Sequence, residues 1–471
     1  MPNNLPNILL IFADQMRGMD MGCAGNPDVI TPNMDRLAEE GMYFLKAYAN
    51  TPVCTPSRGS LLTGLYPLSH LAITNDLPIA TNIPSVGKIL KEAGYYVGYI
   101  GKWHLDGVPR DKFTPPGPRR LGFDDFWAVW NCSHDYFNAY YYRDTPEPIP
   151  LRRYEPIGQT DLAIEFIEES LKEKRLPFFL VLSWGPPHDP YWMVPEEYRS
   201  KYKPDEITLR PNVKLGTKKL LGPKDANLSP KETIANYYAA ITALDEQLGR
   251  ILEFLNDNDL TNETIVIFTS DHGDMLWSQG MMKKEQPFEE SINIPFVIRW
   301  PKHIPSGEKN NILISIVDIA PSILGLLGIK IPEEIEGTDL SRVILGLEDK
   351  GPDSVFLQEI VPVDEGYAQG IREWRGVRTS RYTYACWQTG EGWLLYDNET
   401  DPYQMENLID NPKYRSVREE MERILQYWLK RTNDPFLKWD EHIRRLGLVE
   451  LWNERELYMH PNNPRLIDSS G

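Results

Sequence analysis

Residues 51–64 read T-P-V-C-T-P-S-R-G-S-L-L-T-G, and this stretch places a cysteine directly before a predicted helix. Thr55 and Pro56 suit the N-cap and the first position of that helix. Unpaired backbone N–H groups at a helix start favour an anion, and Arg58, about one turn further on, can bind a tetrahedral oxyanion through two hydrogen bonds. The stretch therefore predicts that Cys54 is a nucleophile facing a phosphate or a sulfate. The alternative is a cysteine packed in a Pro-rich loop.

Four short apolar runs elsewhere in the chain predict strands that are buried on both faces of a parallel sheet. Each run is followed closely by polar residues. In open α/β sheets ligands bind beyond the carboxyl ends of the strands, so these polar residues should converge on one crevice. The runs are 8–12, 95–100, 178–182 and 264–269, and the polar residues after them are Asp14 and Gln15, Lys102 and His104, His188, and Asp271 and His272.

The remaining pattern predicts an α/β fold in which helices sandwich a large, mostly parallel sheet. Amphipathic helices are predicted at 83–93, 161–172 and 232–256, whereas 105–156 has no clear period and is interpreted as long surface loops. From about residue 354, short segments rich in Trp, Tyr and Arg predict a smaller antiparallel sheet, followed by a helix. We expect a catalytic domain over residues 1–365 and a smaller C-terminal α+β subdomain and tail over 366–471.

Composition excludes several classes of partner. The 471-residue chain carries a net charge of −18, which argues against a nucleic-acid surface and against anionic lipid. An anionic substrate must then be attracted by a local pocket and a metal. Four scattered cysteines are too few for a disulfide framework, and the apolar run at 7–13 is too short to cross a membrane. A cytoplasmic location is expected, or a periplasmic one if a signal peptide has been trimmed.

The polar residues after the first and fourth strands form a candidate metal site. Asp14, Gln15, Asp271 and His272 offer two carboxylates, an amide oxygen and an imidazole. This set suits Ca²⁺, Mg²⁺ or Mn²⁺ better than tetrahedral Zn²⁺. For each segment a simpler interpretation is open, namely a turn after a strand at 271–274 and a helix N-cap at Asp14.

Lysine and histidine side chains complete the candidate site. Lys102, His104, His188 and Lys284 can supply positive charge and proton transfer. Taken singly, each would more often be a solvated or packed residue. Three of the eight histidines, however, follow buried strands on the same predicted sheet edge, which favours a functional role.

Taken together, these motifs resemble the type I, formylglycine-dependent sulfatases of the alkaline phosphatase-like superfamily. The stretch C-T-P-S-R at 54–58, followed by L-T-G at 62–64, resembles the signature of that family. The resemblance covers nearly the whole chain. Its other motifs are G-K-W-H at 101–104, P-H-D-P-Y at 187–191, D-H at 271–272, and Lys284 ahead of F-E-E-S at 288–291.

The resemblance implies a sulfuric ester hydrolase that releases sulfate from a small anionic sulfate monoester, with a sulfated carbohydrate as the expected substrate. It implies that a formylglycine-generating enzyme converts Cys54 to an aldehyde before folding. It also implies one divalent cation, with Ca²⁺ expected and Mg²⁺ or Mn²⁺ as alternatives. The implied ligands are Asp14, Gln15, position 54, Asp271 and His272.

In the implied mechanism, the hydrated aldehyde at position 54 attacks sulfur while the metal and Arg58 hold the sulfate oxygens. Lys102 and Lys284 neutralise the charge that develops in the transition state. His188, with help from Lys284, protonates the leaving alcohol. His104 then acts as the base that allows the aldehyde to re-form as sulfate leaves.

One departure from the family keeps alternatives open. Many sulfatases carry a second acid where this chain has Gln15, which removes one ligand charge. The same looser pattern resembles hydrolases of phosphonate monoesters and phosphodiesters, and a non-catalytic sulfoglycan-binding module is a further alternative. A homo-oligomer is left open. Four residues of the loop segment could stack on a sugar ring, or could instead pack beneath the loops: Trp127, Trp130, His134 and Tyr136.

Overall fold

Eight strands form the central sheet in this computed structural model, which describes residues 5–216 and 220–468. Every pairing in the sheet is parallel except those that β9 makes with β8 and β2. In spatial order the strands are β10 (Glu308–Ser315), β2 (Met42–Tyr48), β9 (Phe296–Arg299), β8 (Thr264–Ser270), β1 (Asn7–Asp14), β7 (Phe178–Pro187), β3 (Tyr96–Lys102) and β4 (Phe126–Trp130).

Helices and shorter strands surround this sheet. Two short strands, β5 (Tyr140–Tyr141) and β6 (Ile149–Pro150), pair with each other. The helices are α1 (Pro32–Glu40), α2 (Cys54–Thr63), α3 (Pro67–His70), α4 (Val86–Glu92), α5 (Glu155–Lys172), α6 (Glu196–Arg199), α7 (Pro230–Asp257), α8 (Glu289–Ile292), α9 (Ile319–Leu326), α10 (Ser341–Ile344), α11 (Asp364–Ala368), α12 (Arg415–Arg431), α13 (Trp439–Arg445) and α14 (Val449–Met459).

Strand β1 lies in the middle of the sheet and is buried on both faces, as its continuous apolar run predicts. Leu9 and Ile11 pack into the hydrophobic cluster that contains α5 and α7. Leu10 and Phe12 point the other way, into the cluster that contains α2, α4 and α9. Because side chains alternate along a strand, this one apolar run contributes to both hydrophobic cores. The predicted sandwich of helices around a mostly parallel sheet is confirmed.

The prediction of surface loops over 105–156 is wrong in its middle part. Residues 126–130, F-W-A-V-W, form β4, which pairs in parallel with β3 at the edge of the central sheet. Phe126, Ala128 and Trp130 face one core, and Trp127 and Val129 face the other. The run was missed because its large aromatic residues stand among prolines and charges, which hides the period.

Two helix boundaries also differ from the prediction, and two strands were not predicted. Helix α2 begins at Cys54 itself, with Val53 rather than Thr55 as its N-cap, because Val53 is the last extended residue and its carbonyl oxygen accepts the Ser57 N–H. Helix α5 begins at Glu155, several residues earlier than expected. Strands β2 and β10 were not predicted, since both mix polar residues into their apolar pattern. Strand β2 is the element that leads the chain into α2.

A second sheet follows the first and is antiparallel, as predicted. Its order is β11 (Ser354–Glu359), β12 (Trp374–Thr379), β13 (Tyr382–Trp387) and β14 (Gly392–Asp397). One face packs on α12 through Phe356 and Trp428, and the other contacts Phe288 near the central sheet. Strand β11 lies N-terminal to the expected boundary at residue 365, and the division into two domains stays a prediction. Residues 1–4 and 469–471 of those domains lie outside the described residues.

Neither a membrane-spanning helix nor a disulfide is found within the described ranges, 5–216 and 220–468. None of their helices is both long and apolar enough to cross a lipid bilayer. The four cysteines are free thiols, which agrees with the expectation that no disulfide framework holds the chain. The hydrophobic cores described above therefore hold the chain together without covalent cross-links.

A buried ion pair attaches the segment after α12 to the second sheet and gives a stability prediction. The Arg375 guanidinium pairs with the Asp434 carboxylate, and both side chains are completely buried. Burial would raise the pKa of Asp434, but the adjacent Arg375 charge holds it below its usual value. Asp434→Asn should lower the free energy of unfolding at pH 7 by about 3–5 kcal/mol, because it leaves a buried cation unpaired.

The pH dependence of this loss follows from linkage. A carboxyl whose pKa is lower in the folded chain contributes stability above its unfolded pKa, and that contribution is lost as the pH falls through the folded value. The gap between wild type and Asp434→Asn in urea denaturation should therefore shrink below about pH 4. The control is Glu419→Gln, in an exposed pair with Arg415, which should cost less than about 1 kcal/mol. A constant gap down to pH 2 would contradict the assignment.

Candidate active site

Cys54 lies at the carboxyl edge of the central sheet, at the first residue of α2, and is only 1% exposed. The Thr55 N–H donates to Asn75 Oδ1, and the Ser57 hydroxyl donates to the Asp271 carbonyl oxygen. The helix ends at Gly64, whose φ of 69° is the left-handed conformation that glycine adopts without strain. These contacts fix the start of α2 against the loop that follows β8.

Three of the four predicted strand-end clusters reach the Cys54 sulfur, and the fourth, His188, contacts Lys284 Nζ beside it. His272 Nε2 and Lys284 Nζ each lie 3.2 Å from Sγ. Asp14 Oδ1 lies 3.7 Å away and Lys102 Nζ 3.8 Å away. All of these side chains are buried. The parallel arrangement of β1, β3 and β8 therefore gathers residues that are far apart in the sequence.

This environment is built to hold negative charge at position 54. Burial would raise the pKa of the Cys54 thiol, but Lys102, Lys284 and His272 together hold it well below its usual value. Burial would also lower the pKa of Lys102, yet the Asp14 carboxylate and the Cys54 thiolate raise it above its ordinary value. An anionic oxygen at position 54, or the charge of a sulfate next to it, would meet the same cations.

Four of the predicted ligands form a compact group that fits a divalent cation. The ligand atoms of Asp14, Cys54, Asp271 and His272 all lie within 4.8 Å of one another, and all four residues are buried. His272 Nε2 is 3.7 Å from Asp14 Oδ1 and 3.7 Å from Asp271 Oδ1. Burial would raise the pKa of Asp14, but the cations around it, Lys102 foremost, hold it well below its usual range. An ionised carboxylate is the ligand that a hard cation needs.

Gln15 lies beside these four candidate ligands, and its hydrogen bonds differ from those that a second carboxylate would make. Its backbone takes a left-handed φ of 69°, and its N–H donates to Asp271 Oδ1. Its side-chain amide donates to Asp274 Oδ2, and its Oε1 accepts a hydrogen bond from Lys284 Nζ at 3.0 Å. A neutral oxygen at this position leaves the Lys284 charge less neutralised than a carboxylate would.

Arg58 contacts the candidate metal-ligand carboxylates, a set of partners that the sequence did not indicate. Its Nε donates to Asp271 Oδ2, and its Nη2 lies 2.9 Å from Asp271 Oδ2 and 3.2 Å from Asp14 Oδ2. Its Nη1 donates to the Lys102 carbonyl oxygen and to Ser183 Oγ. The guanidinium therefore contacts both candidate ligand carboxylates, Asp14 and Asp271. A contact between Arg58 and a bound sulfate stays a prediction.

His104 is held by a second carboxylate that the sequence did not indicate. Its Nε2 lies 3.0 Å from Asp76 Oδ1. Burial lowers the pKa of His104, but the Cys132 thiolate and Asp76 raise it to about 10, so the imidazole is protonated at neutral pH. A base must be unprotonated. The role of His104 as a base stays a prediction for a site whose bound cation lowers this pKa.

His188 and Lys284 form the opposite wall. Lys284 Nζ donates to His188 Nε2 at 2.9 Å, while His188 Nδ1 faces the Asp189 carbonyl oxygen at 2.8 Å. The His134 ring stacks on His188 with centroids 4.0 Å apart, and the Tyr136 hydroxyl donates to the His188 carbonyl oxygen. Of the four residues considered for sugar stacking, Trp127 and Trp130 are instead buried in β4, Tyr136 supports His188, and His134 lines the pocket.

A pocket of about 250 Å³ opens above position 54. Several of its lining residues were not predicted, because they come from the long loop segment and from the C-terminal part of the chain, where no local pattern marks them. The lining residues are Cys54, Asn75, Asp76, His104, Arg110, His134, His188, Asp189, Lys283, Lys284, Val363, Glu365, Arg455 and Met459.

The α/β fold and this site are those of an enzyme suited to an anionic ester, with one buried nucleophilic position surrounded by cations. Comparison with known proteins identifies the family. The Sulfatase family model matches residues 6–329, and the model of the C-terminal region of N-sulphoglucosamine sulphohydrolase matches residues 278–431. The chain belongs to the sulfatase family, and it is a sulfuric ester hydrolase of the alkaline phosphatase-like fold.

Individual relatives agree with this assignment. The chain is 38% identical to an ulvan-active sulfatase of Formosa agariphila, over 94% of this chain and 85% of that protein. It is 25% identical to an N-acetylglucosamine-6-O-sulfatase of Bacteroides thetaiotaomicron, over 91% of this chain and 88% of that protein. A solved structure of the sulfatase yidJ from Bacteroides fragilis matches with a TM-score of 0.82 and 32% identity, over 92% of this chain and 97% of that one.

The comparisons also bear on the alternative of a phosphonate monoester or phosphodiester hydrolase. The solved phosphonate monoester hydrolase of Agrobacterium radiobacter matches with a TM-score of 0.74 over 90% of this chain and 96% of that one. Its identity is 24%, so the likeness is one of fold. The family model and the more similar relatives favour sulfate ester hydrolysis.

Proposed function

We propose that this sulfatase hydrolyses a sulfate monoester of a sugar, with position 54 converted to formylglycine and one divalent cation beside it. The observation that carries the proposal is the convergence of Lys102, Lys284 and His272 on the buried Cys54 sulfur. A free thiol would not need three cations, whereas an anionic oxygen nucleophile and a sulfate would. The names of the sugar-directed relatives and the size of the pocket, suited to a single sugar ring, favour a carbohydrate substrate.

The formylglycine would supply, as its hydrate, an oxygen nucleophile that can be regenerated without attack of water on sulfur. The chain's own residues place and stabilise the charges around it. Lys284 Nζ lies 3.2 Å from the position 54 side chain and 2.9 Å from His188 Nε2, so it can neutralise sulfate and supply a proton toward the leaving alcohol. Lys102, bonded to Asp14, fixes positive charge on the other side of position 54.

The cation would be held by Asp14, Asp271, His272 and position 54, with the Gln15 amide oxygen beside them. Such an ion would supply Lewis acidity toward the sulfate oxygens. The donors are mainly oxygens and carry two negative charges, which favours Ca²⁺, with Mg²⁺ and Mn²⁺ as alternatives. Arg58 lies within ion-pair distance of both carboxylates, so its charge favours their ionised forms.

Chelation tests the cation. Dialysis against EDTA should reduce sulfate release at least about 100-fold, since a bound ion is worth several kcal/mol of transition-state stabilisation. Adding back Ca²⁺, Mg²⁺ and Mn²⁺ separately should identify the ion, with Ca²⁺ restoring the most activity. Elemental analysis of the dialysed protein is the control. Full activity in protein shown to be free of metal would rule out the role proposed for the ion.

The proposed function is tested by producing the chain together with a formylglycine-generating enzyme. Mass spectrometry of the peptide that contains position 54 should show the thiol replaced by an aldehyde. That protein should release inorganic sulfate from members of a panel of sulfated mono- and disaccharides, and protein made without the enzyme should not. A modified, metal-loaded protein that is inactive on every sulfate ester, yet cleaves an aryl phosphodiester, would overturn the proposal. A cytoplasmic location and a homo-oligomeric state stay predictions.

A further inference from the structure

The wall of the pocket beyond His104 contains two arginines that the reaction itself does not use. Arg110 comes from the segment after β3, and Arg455 comes from α14; both line the pocket. The family models match residues 6–329 and 278–431, so α14 lies beyond both of them. A side chain from this region is suited to select one substrate rather than to carry out the shared chemistry.

Both arginines are attached to the same short turn. Arg455 Nε donates to the Asn75 carbonyl oxygen at 2.8 Å. Arg110 makes two hydrogen bonds to the Asp76 carboxylate, at 2.8 and 2.7 Å. Asn75 Oδ1 in turn accepts the Thr55 N–H, one residue from Cys54. The turn therefore fixes both guanidinium groups relative to the reacting position.

Each arginine keeps an unused donor. Nη1 of Arg110 and Nη2 of Arg455 make no hydrogen bond with any residue in the described ranges, 5–216 and 220–468. Arg455 is only 1% exposed and its guanidinium lies over the Trp452 ring, so it is desolvated and held in place. A buried cation with a free N–H group facing a cavity is a strong site for an anion.

The carboxylates near these arginines do not neutralise them fully. Asp76 is shared between Arg110 and His104. Glu456 is shared between Arg455 and Arg465, with Arg465 Nη2 3.2 Å from Glu456 Oε1. Asp76 and Glu456 are therefore each divided between two basic side chains. This local excess of basic groups stands in a chain whose net charge is −18.

We infer that Arg110 and Arg455 form a subsite for a second anionic group of the substrate, carried by the sugar whose sulfate lies at position 54. The ligand class is an acidic sulfated sugar, in which a carboxylate or a second sulfate supplies that charge. This inference rests on the proposed function, because the sulfate at position 54 orients the sugar. A guanidinium binds either group through paired N–H donors.

Binding to the full-length Cys54→Ala protein tests the subsite without depending on turnover. Isothermal titration would compare four probes: a methyl hexoside monosulfate, the corresponding methyl hexuronide monosulfate, its methyl ester, and a methyl hexoside disulfate. The hexuronide or the disulfate should bind at least about tenfold more tightly than the neutral monosulfate, because a charged hydrogen bond is added. The methyl ester should bind like the neutral probe, and the stronger of the two charged probes identifies the group.

Variants of Arg455 identify the residue responsible. Adding Arg455→Gln should remove most of the preference for the charged probe, whereas Arg455→Lys should keep part of it, which separates charge from packing on Trp452. Arg415→Gln, which removes an exposed arginine of α12, should keep the full preference. Equal affinity for all four probes, no measurable binding of any charged probe, or a preference that survives Arg455→Gln would overturn the inference. Sulfate release by the modified wild type from the neutral probe would still uphold the proposed function.

Discussion

Cys54→Ala should reduce sulfate release by about 10⁴-fold or more, because it removes the only atom from which a nucleophile can be made at this position. The remaining charges would still bind sulfate but would have nothing to transfer it to. The measurement is initial sulfate release from the best sugar substrate, with protein produced alongside the formylglycine-generating enzyme.

The folded structure of this variant should persist. Cys54 is a small side chain, and the contacts that hold α2 are made by Asn75 and Ser57 rather than by the sulfur. The circular dichroism spectrum should match that of wild type. Cys386→Ala is the matched control, because it removes a buried thiol from β13, outside the pocket, and should keep activity. Residual turnover of a few per cent in Cys54→Ala would contradict a covalent mechanism through position 54.

Lys284→Met should reduce kcat by about 10²–10³-fold, the usual cost of removing one preorganised charge from a transition state. The ammonium bridges Cys54 Sγ, Gln15 Oε1 and His188 Nε2, so one substitution removes both charge neutralisation and the proton path. Methionine has a similar length and can fill the space. The loss should be smaller on an aryl sulfate with a good leaving group, since that ester needs less help from a proton.

The neighbouring lysine provides the control for this effect. Lys283 has the same side chain but a left-handed φ of 64°, and its ammonium pairs with Glu365 and Asp189 instead of the position 54 group. Lys283→Met should therefore lose far less kcat than Lys284→Met. Equal losses in the two variants, or an unchanged leaving-group dependence for Lys284→Met, would show that Lys284 has only a general electrostatic role.

The sequence was enough to predict the central strands of the sheet and the residues at the centre of the site, because both depend on local signals. Apolar runs such as 8–12 and 264–269 lie in buried strands, and a parallel sheet necessarily brings their carboxyl ends to one edge. Asp14, Lys102 and His272 could be placed together for that reason alone. Strand β4 was harder to recognise although F-W-A-V-W is continuously apolar, because the prolines and charges around this short run hide it within a segment that has no clear period.

The outer pocket could not be predicted because its residues are defined by contacts over long separations. Asp76 holds His104, and Arg455 reaches Asn75 across 380 positions of the chain. No spacing pattern in the sequence identifies such pairs of residues. The contacts of Arg58 with Asp14 and Asp271 could not be predicted for the same reason. A motif gives the position of a side chain in the sequence but not its partners in the folded chain.

Because position 54 is buried in the folded protein, the proposed conversion to formylglycine depends on when it takes place during synthesis and folding. Two of the side chains that enclose it, His272 and Lys284, are made long after it, and Lys284 follows 230 residues later. At a ribosomal rate of roughly 5–20 residues per second, the cysteine stays accessible for roughly 10 to 50 s. The converting enzyme that the proposed function requires would have to act within that interval, before the sheet closes over its target. Whether a given molecule can ever be active would then be decided while it is still being synthesised, and faster production should yield a larger fraction of folded but permanently inert chains.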